Sequence, residues 1–149
     1  MDDADVYEKY SDELIRFAAA LVGPSGAEDL LANAMLKSFR SLHWDAVDNK
    51  RAYLYRVVWT EAHQHRRSVR RRLRREMRAA PHEAVDPTTV DRDVLNALQR
   101  LASRERAVVY LTYWIDMPTA EIADFLQVAP RTVERDLTNA RRTLKELLT

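Results

Sequence analysis

Only two glycines, Gly23 and Gly26, and five prolines interrupt 149 residues rich in Ala, Leu, Arg and Glu. A chain so poor in residues with access to positive φ has little material for hairpin turns, whereas its dominant residues favour helix. Apolar residues make up 46% and charged residues 32%, the balance of a folded, helix-rich protein with one domain or two small ones. The expected fold is all-α.

Apolar spacing defines the helices. Tyr10, Leu14, Phe17, Ala18 and Leu21 recur at three- and four-residue steps over 7–22, ending at Gly23-Pro24. Ser25 and Glu28 then have the spacing of a capping box ahead of Leu31, Met35 and Phe39. HWDAVDNK (43–50) lacks periodicity and reads as a loop. From about Arg51 a third helix turns Leu54, Val57, Val58 and Ala62 inward and continues to about Arg78. Residues 79–93 lose periodicity and hold Pro81 and Pro87, which divides the chain into helical domains at 1–78 and 94–149 joined by a flexible acidic linker.

In the second domain Leu95, Leu98 and Leu101 form one helix, and Val108, Leu111 and Ile115 the next, with Ser103 as its expected N-cap. After the stop at Asp116-Met117-Pro118, Thr119 is the expected cap of a short helix holding Ile122, Ala123 and Leu126. Val128, Val133, Leu137, Ala140 and Leu144 face the same core from a last helix opened by Pro130. This is the pattern of a helix-turn-helix: a small residue where the helices cross, and apolar positions after the turn and under the second helix. Gln127 stands where glycine is usual and must adopt a left-handed conformation.

The net charge of +1 conceals segregation. Residues 1–35 hold eight acids against two bases, 51–78 ten bases against two acids, and 79–95 four acids against one base. Arginines at 66, 70, 74 and 78, and at 67, 71 and 75, repeat every four residues with Glu76 the lone acid beside them. A charge run is ordinarily a solvated face, but this density of one sign favours a polyanion such as nucleic acid.

Other classes find little support. Without cysteine there is no disulfide or thiolate site; His63 and His65 lie two apart, a poor chelating spacing on a helix, and His43 and His82 lie in loops. No nucleophile triad, phosphate-cradling glycine loop or paired carboxylates stand out, so no catalytic residue, metal, cofactor or small-molecule substrate is expected. An acidic N-terminus and the lack of a long apolar run point away from a secretory signal or a membrane span and toward the cytoplasm.

AEDLLANAMLKSF (27–39), RAYLYRVVWTEAHQHRRS (51–68) and VVYLTYWIDMPTAEIADFLQVAPRTVERDLTNARRTL (108–144) resemble, in order and over nearly the whole chain, segments of the extracytoplasmic-function group of bacterial sigma factors. The resemblance implies a promoter-specificity subunit that binds core RNA polymerase, recognises minus-ten and minus-thirty-five elements of promoter DNA and promotes melting, with an anti-sigma factor as a possible further partner. It implies polymerase contact by Asp29, Leu30, Ala32, Asn33, Met35 and Lys37. It brings the minus-ten strand to Trp44, Asn49, Trp59, Thr60 and His63, with Arg56, Arg66, Arg67 and Arg70 on phosphates. The minus-thirty-five element falls to Thr119, Pro130, Arg131, Thr132, Glu134 and Arg135, and the connector acids Glu83, Asp86, Asp91 and Asp93 to the polymerase channel used by RNA.

Departures from the family pattern include Ala32-Asn33 for Gln-Glu, Thr60 for Asn, Gln64 for Asp, Ala129 for Ser, Arg131 for Gly and Glu134 for Lys. Glu134 either accepts from cytosine N4 or, the favoured reading, pairs with Arg131 or Arg135; Asp136 is expected to turn from the groove or pair with Arg141 or Arg142. Two other functions fit the residues: a stand-alone helix-turn-helix regulator dimerising through its N-terminal helices, and a degenerate sigma-like protein that binds polymerase without supporting initiation.

Overall fold

A computed structural model describes residues 2–75 and 92–148, with side chains for 2–64 and 93–148. The chain divides into two compact units, Met1–Val90 and Asp91–Thr149. Among the described residues the regular structure is entirely helical.

The first unit packs α1 (Asp3–Val22), α2 (Pro24–Arg40) and α3 (Lys50–Arg75) against one another. α1 begins four residues before the apolar pattern does, because two aspartates cap it: Asp2 Oδ1 accepts from Asp5 N at 2.8 Å and Asp5 Oδ2 from Asp2 N at 3.3 Å. Its run Ala18, Ala19 and Ala20 is wholly buried, which allows the helices to approach closely around Leu14, Phe17, Leu31, Leu54 and Val58. Gly23, at φ 90° and ψ 163°, turns the chain directly from α1 into α2. The expected cap at Ser25 does not form: Pro24 opens the helix, so Ser25 lies inside its first turn. Two ion pairs brace the bundle, Lys37 Nζ to Glu61 Oε1 at 2.6 Å and Arg51 Nε to Glu13 Oε1 at 2.6 Å.

The turn from α2 to α3 contains a short 3-10 segment, Trp44–Ala46, within the stretch expected to be loop. Asn49 then caps α3 by accepting from Ala52 N at 3.0 Å. The α3 backbone runs to Arg75; its expected continuation to Arg78 and the linker as far as Asp91 lie outside the described residues.

The second unit holds α4 (Arg92–Leu98), α5 (Ser103–Tyr113), α6 (Thr119–Leu126) and α7 (Pro130–Leu148). α4 takes up Arg92 and Asp93, at the end of the expected linker. Leu95, Leu98, Val108, Leu111, Ile122, Val133 and Ala140 meet in its core, together with Phe125, which the apolar pattern did not single out. The starts of α5 and α6 differ by one residue from the expected caps. Ala102 rather than Ser103 precedes α5, its amide reaching Glu105 Oε1 at 3.4 Å, and Pro118 rather than Thr119 precedes α6. Thr119 therefore occupies the first helical position, and no side-chain cap closes α6.

Arg106 is fully buried and donates to the chain leaving α4: Nη2 to Leu101 O at 2.8 Å and to Gln99 O at 3.3 Å, Nη1 to Gln99 Oε1 at 3.0 Å. A planar guanidinium supplies in one group the donors that carbonyls past a helix end require.

Candidate nucleic-acid interfaces

The helix-turn-helix is built on Gln127. It adopts the left-handed conformation at φ 57° and ψ 48°, as its position required. Val128 N donates to Ala123 O at 3.0 Å and Gln127 N to Asp124 O at 3.3 Å, the paired bonds of a Schellman ending. Ala123 and Val133 are buried where α6 and α7 pack. α7 begins at Pro130 as expected.

With Val133, Asp136 and Ala140 buried along one side of α7, the opposite side presents Arg131, Glu134, Arg135 and Thr138 to solvent. Pro130 is exposed at the start of α7 and Thr132 is half-buried two residues on, while Thr119, also half-buried, is at the start of α6. Glu134 pairs with neither Arg131 nor Arg135 within the ion-pair distance, so the favoured pairing does not form. Asp136 does turn inward, but its partner is Arg104 of α5 rather than Arg141 or Arg142: Arg104 Nε donates to Oδ2 at 2.5 Å and Nη2 to Oδ1 at 3.3 Å. The hydrogen bond to Asp136 holds the Arg104 guanidinium above its ordinary pKa, outweighing partial desolvation. Arg141 donates to Tyr113 Oη and lies over its ring, 5.6 Å from the centroid.

On α3 the outward positions form a second stripe. Arg56, Thr60 and His63 are exposed, Trp59 is half-buried, and the Trp59 and His63 rings meet edge to face at 4.3 Å. Thr60 Oγ1 donates to Arg56 O at 3.0 Å, which leaves its acceptor lone pairs outward. Positions 66, 67 and 70 continue on the α3 backbone, while the arginine side chains there lie outside the described residues. On the neighbouring surface, partial burial lowers the Arg51 pKa, yet the bond and charge of Glu13 outweigh it and the net shift is upward.

Trp44 is not on that stripe. It is 3% exposed, with Phe39 and Tyr53 ring centroids at 5.4 and 5.6 Å and the Lys50 ammonium 4.8 Å from its own centroid. These neighbours occupy the surfaces on which a base would stack, so Trp44 belongs to the core and the expected base contact is corrected. Asn49 is exposed, but its Oδ1 is engaged in capping α3, leaving the amide N–H to meet a ligand.

The residues expected to meet polymerase also divide. Leu30 and Met35 are 2% and 3% exposed and belong to the core, since they follow the inward period of Ala27, Leu31, Ala34 and Ser38. Asp29, Ala32 and Asn33 face outward, joined by Leu36 at 46% exposure. Lys37 is exposed but its ammonium is held by Glu61. Leu42, in the turn after α2, is 98% exposed. Among the described residues no group of three or more His, Asp or Glu side chains is arranged to hold a metal, and no helix is long and apolar enough to cross a membrane.

The family model for sigma-70 region 2 matches residues 6–73, and that for sigma-70 region 4 matches residues 91–144. The RNA polymerase sigma-E factor of Streptomyces avermitilis is 34% identical over 95% of this chain and 84% of its own length. The ECF RNA polymerase sigma factor SigL of Mycobacterium tuberculosis is 28% identical over 94% of this chain and 85% of its own. Among solved structures, the sigma factor RpoE of Bartonella quintana, in complex with the anti-sigma factor NepR, shares the fold at a TM-score of 0.77, with 22% identity over 97% of this chain and 96% of that one. CnrH, in complex with the cytosolic domain of CnrY, does so at 0.66, with 22% identity over 98% and 86%. The chain belongs to the sigma-70 family, in its extracytoplasmic-function group.

Proposed function

We propose that this chain is a promoter-specificity subunit that binds core RNA polymerase, reads a minus-thirty-five element with α7 and a minus-ten element with α3, and promotes opening of the DNA between binding and initiation. The observation that carries the reading is the occurrence, in one chain and in order, of sigma-70 region 2 and region 4, each with a solvent-facing polar stripe on the corresponding helix.

In this reading Arg131 and Arg135 contact phosphate or guanine, and Thr132 donates to a phosphate at the start of α7. Glu134, unpaired within its own helix, accepts from cytosine N4. Arg56 and the arginines at 66, 67 and 70 follow phosphates, while Trp59, Thr60 and His63 meet unstacked bases of the opened strand. The linker carboxylates Glu83, Asp86 and Asp91, which lie outside the described residues, and Asp93 occupy the RNA path. Asp29, Ala32, Asn33 and Leu36 form the polymerase-facing stripe of α2, supported from beneath by Leu30 and Met35. Two domains, the second of which opens with α4 at Arg92 rather than after residue 93, serve this division of labour. The chain acts in the cytoplasm, contributes binding rather than bond-making chemistry, and takes an anti-sigma factor as a further partner, as RpoE of Bartonella quintana does.

Sedimentation of the chain with purified core polymerase and promoter-bearing DNA fragments tests this. Joint sedimentation with core, and retention of fragments only when core is present, is the expected result. Retention of palindromic fragments by the chain alone, with no association with core, contradicts it and favours a stand-alone regulator.

A further inference from the structure

Resting on the reading of α7 as the DNA-reading helix, we infer that Arg104, on a different helix, is a positioning residue that fixes the roll of α7 about its axis and thereby sets base discrimination.

The buried side of α7 offers little else that is directional; the one other α5–α7 side-chain bond described above, Arg141 to Tyr113 Oη, joins two exposed residues at its rim. Val133 and Ala140 are small and fully buried, while Leu137 and Leu144 are only half-buried. A narrow stripe of this kind leaves rolls of a few tens of degrees nearly equivalent in apolar burial, because dispersion and hydrophobic contacts are non-directional. Asp136 lies in the same stripe at 5% exposure, and both of its carboxylate oxygens accept from the one guanidinium of Arg104. The Arg104 side chain is 43% exposed, but its two-point, charge-assisted bond to the buried carboxylate is directional where the apolar contacts are not, and so restricts the roll of α7.

Magnitudes favour a functional consequence. At a helix radius of about 6 Å with side chains, a roll of about 20° carries the outward tips of Arg131, Glu134 and Arg135 about 2 Å sideways. Hydrogen bonds to base edges tolerate a range of about 0.5 Å in length. Apolar packing alone therefore holds the helix on the unit without holding its tips in register with the groove.

The test uses the full chain bound to core polymerase. A randomised duplex library is enriched on the wild-type complex, and affinities are then measured for a selected duplex and for single-base changes in it, across salt concentrations. Two variants are compared: Arg104→Lys, which keeps the charge but loses the fork, and the double replacement Arg104→Met with Asp136→Leu, which fills the same space without polar groups. The expected result is a wild-type thermal midpoint for the double variant, an unchanged salt slope, and a fall of about tenfold in discrimination between selected and changed duplexes. Arg104→Lys should lose discrimination in the same direction. Wild-type discrimination in a folded double variant overturns the inference. So does a salt slope shallower by about 0.9 with discrimination intact, since Arg104 would then be a phosphate contact. Failure of the wild-type complex to enrich any sequence overturns the underlying DNA-reading function itself, and this inference with it.

Discussion

Trp44 Nε1 donates to Asp3 Oδ1 at 3.0 Å, tying the turn between α2 and α3 to the first residue of α1 across 41 positions of sequence. Lys50 adds two bonds to the same turn, from Nζ to Trp44 O at 3.1 Å and to Val47 O at 3.0 Å. Trp44 is thereby a strut for the approach to α3. Trp44→Ala should lower the stability of the chain by about 3–5 kcal/mol in urea denaturation, with Asp3→Ala costing about 1–2 kcal/mol and Asp3→Asn, which keeps an acceptor, less. A Trp44→Ala variant of unchanged stability that binds DNA poorly would return this residue to the base-contacting surface.

At the helix-turn-helix, Gln127 carries a side chain in a conformation that suits glycine. Gln127→Gly should raise stability by about 0.5–1 kcal/mol, read as a higher thermal midpoint, because relief of the left-handed penalty exceeds the added entropy of the unfolded chain. Gln127→Val should lower it, since a β-branched residue is poorly accommodated there.

Arg106 binds Gln99 O, Leu101 O and the Gln99 side chain from a fully buried position. Arg106→Met strands those acceptors and should destabilise the chain by about 3 kcal/mol in denaturant titration. Arg106→Lys, with one compact ammonium in place of a fork, should recover only part of that loss.

Arg56 is exposed and takes no part in core packing. Arg56→Ala should change stability by less than about 0.5 kcal/mol. In the polymerase complex it should make the dependence of log affinity on log salt shallower by about 0.7–0.9, according to whether the phosphate belongs to single- or double-stranded DNA. An unchanged slope would remove Arg56 from the phosphate contacts.

Glu134 is exposed on α7 without an ion pair to its neighbours. Glu134→Ala should therefore leave the thermal midpoint unchanged, and relax preference at one cytosine-bearing position of the minus-thirty-five element by about 1–3 kcal/mol. A general gain of affinity without loss of preference would mean that its role is only repulsion of phosphate.

The helices were legible because each carries its own period, and the helix-turn-helix because Ala123, Gln127, Val128 and Val133 are constrained by local geometry within a dozen residues. Met35 was legible as core because it shares the apolar spacing of Leu31 and Phe39, and Leu30 was legible in principle, since the period that buries Leu31 and Ala34 buries it too. Trp44 and Asp136 were different. Nothing beside Trp44 signals Asp3, and nothing near Asp136 signals Arg104, 32 residues earlier. Partners chosen by tertiary packing leave no mark in the local pattern, and nearby arginines at 141 and 142 made a false local explanation available. The caps shifted for a related reason: Pro24 and Pro118 fix the backbone at the helix starts, so Ser25 and Thr119 fall inside the helices they were expected to cap.

Run-off transcription on sheared genomic DNA, with purified bacterial core polymerase in the presence and absence of the chain, tests the central claim most directly. Chain-dependent transcripts starting downstream of one shared, non-palindromic two-part sequence are predicted. Stable association with core that yields no new starts would contradict a working initiation factor and identify a polymerase-binding protein that has lost initiation.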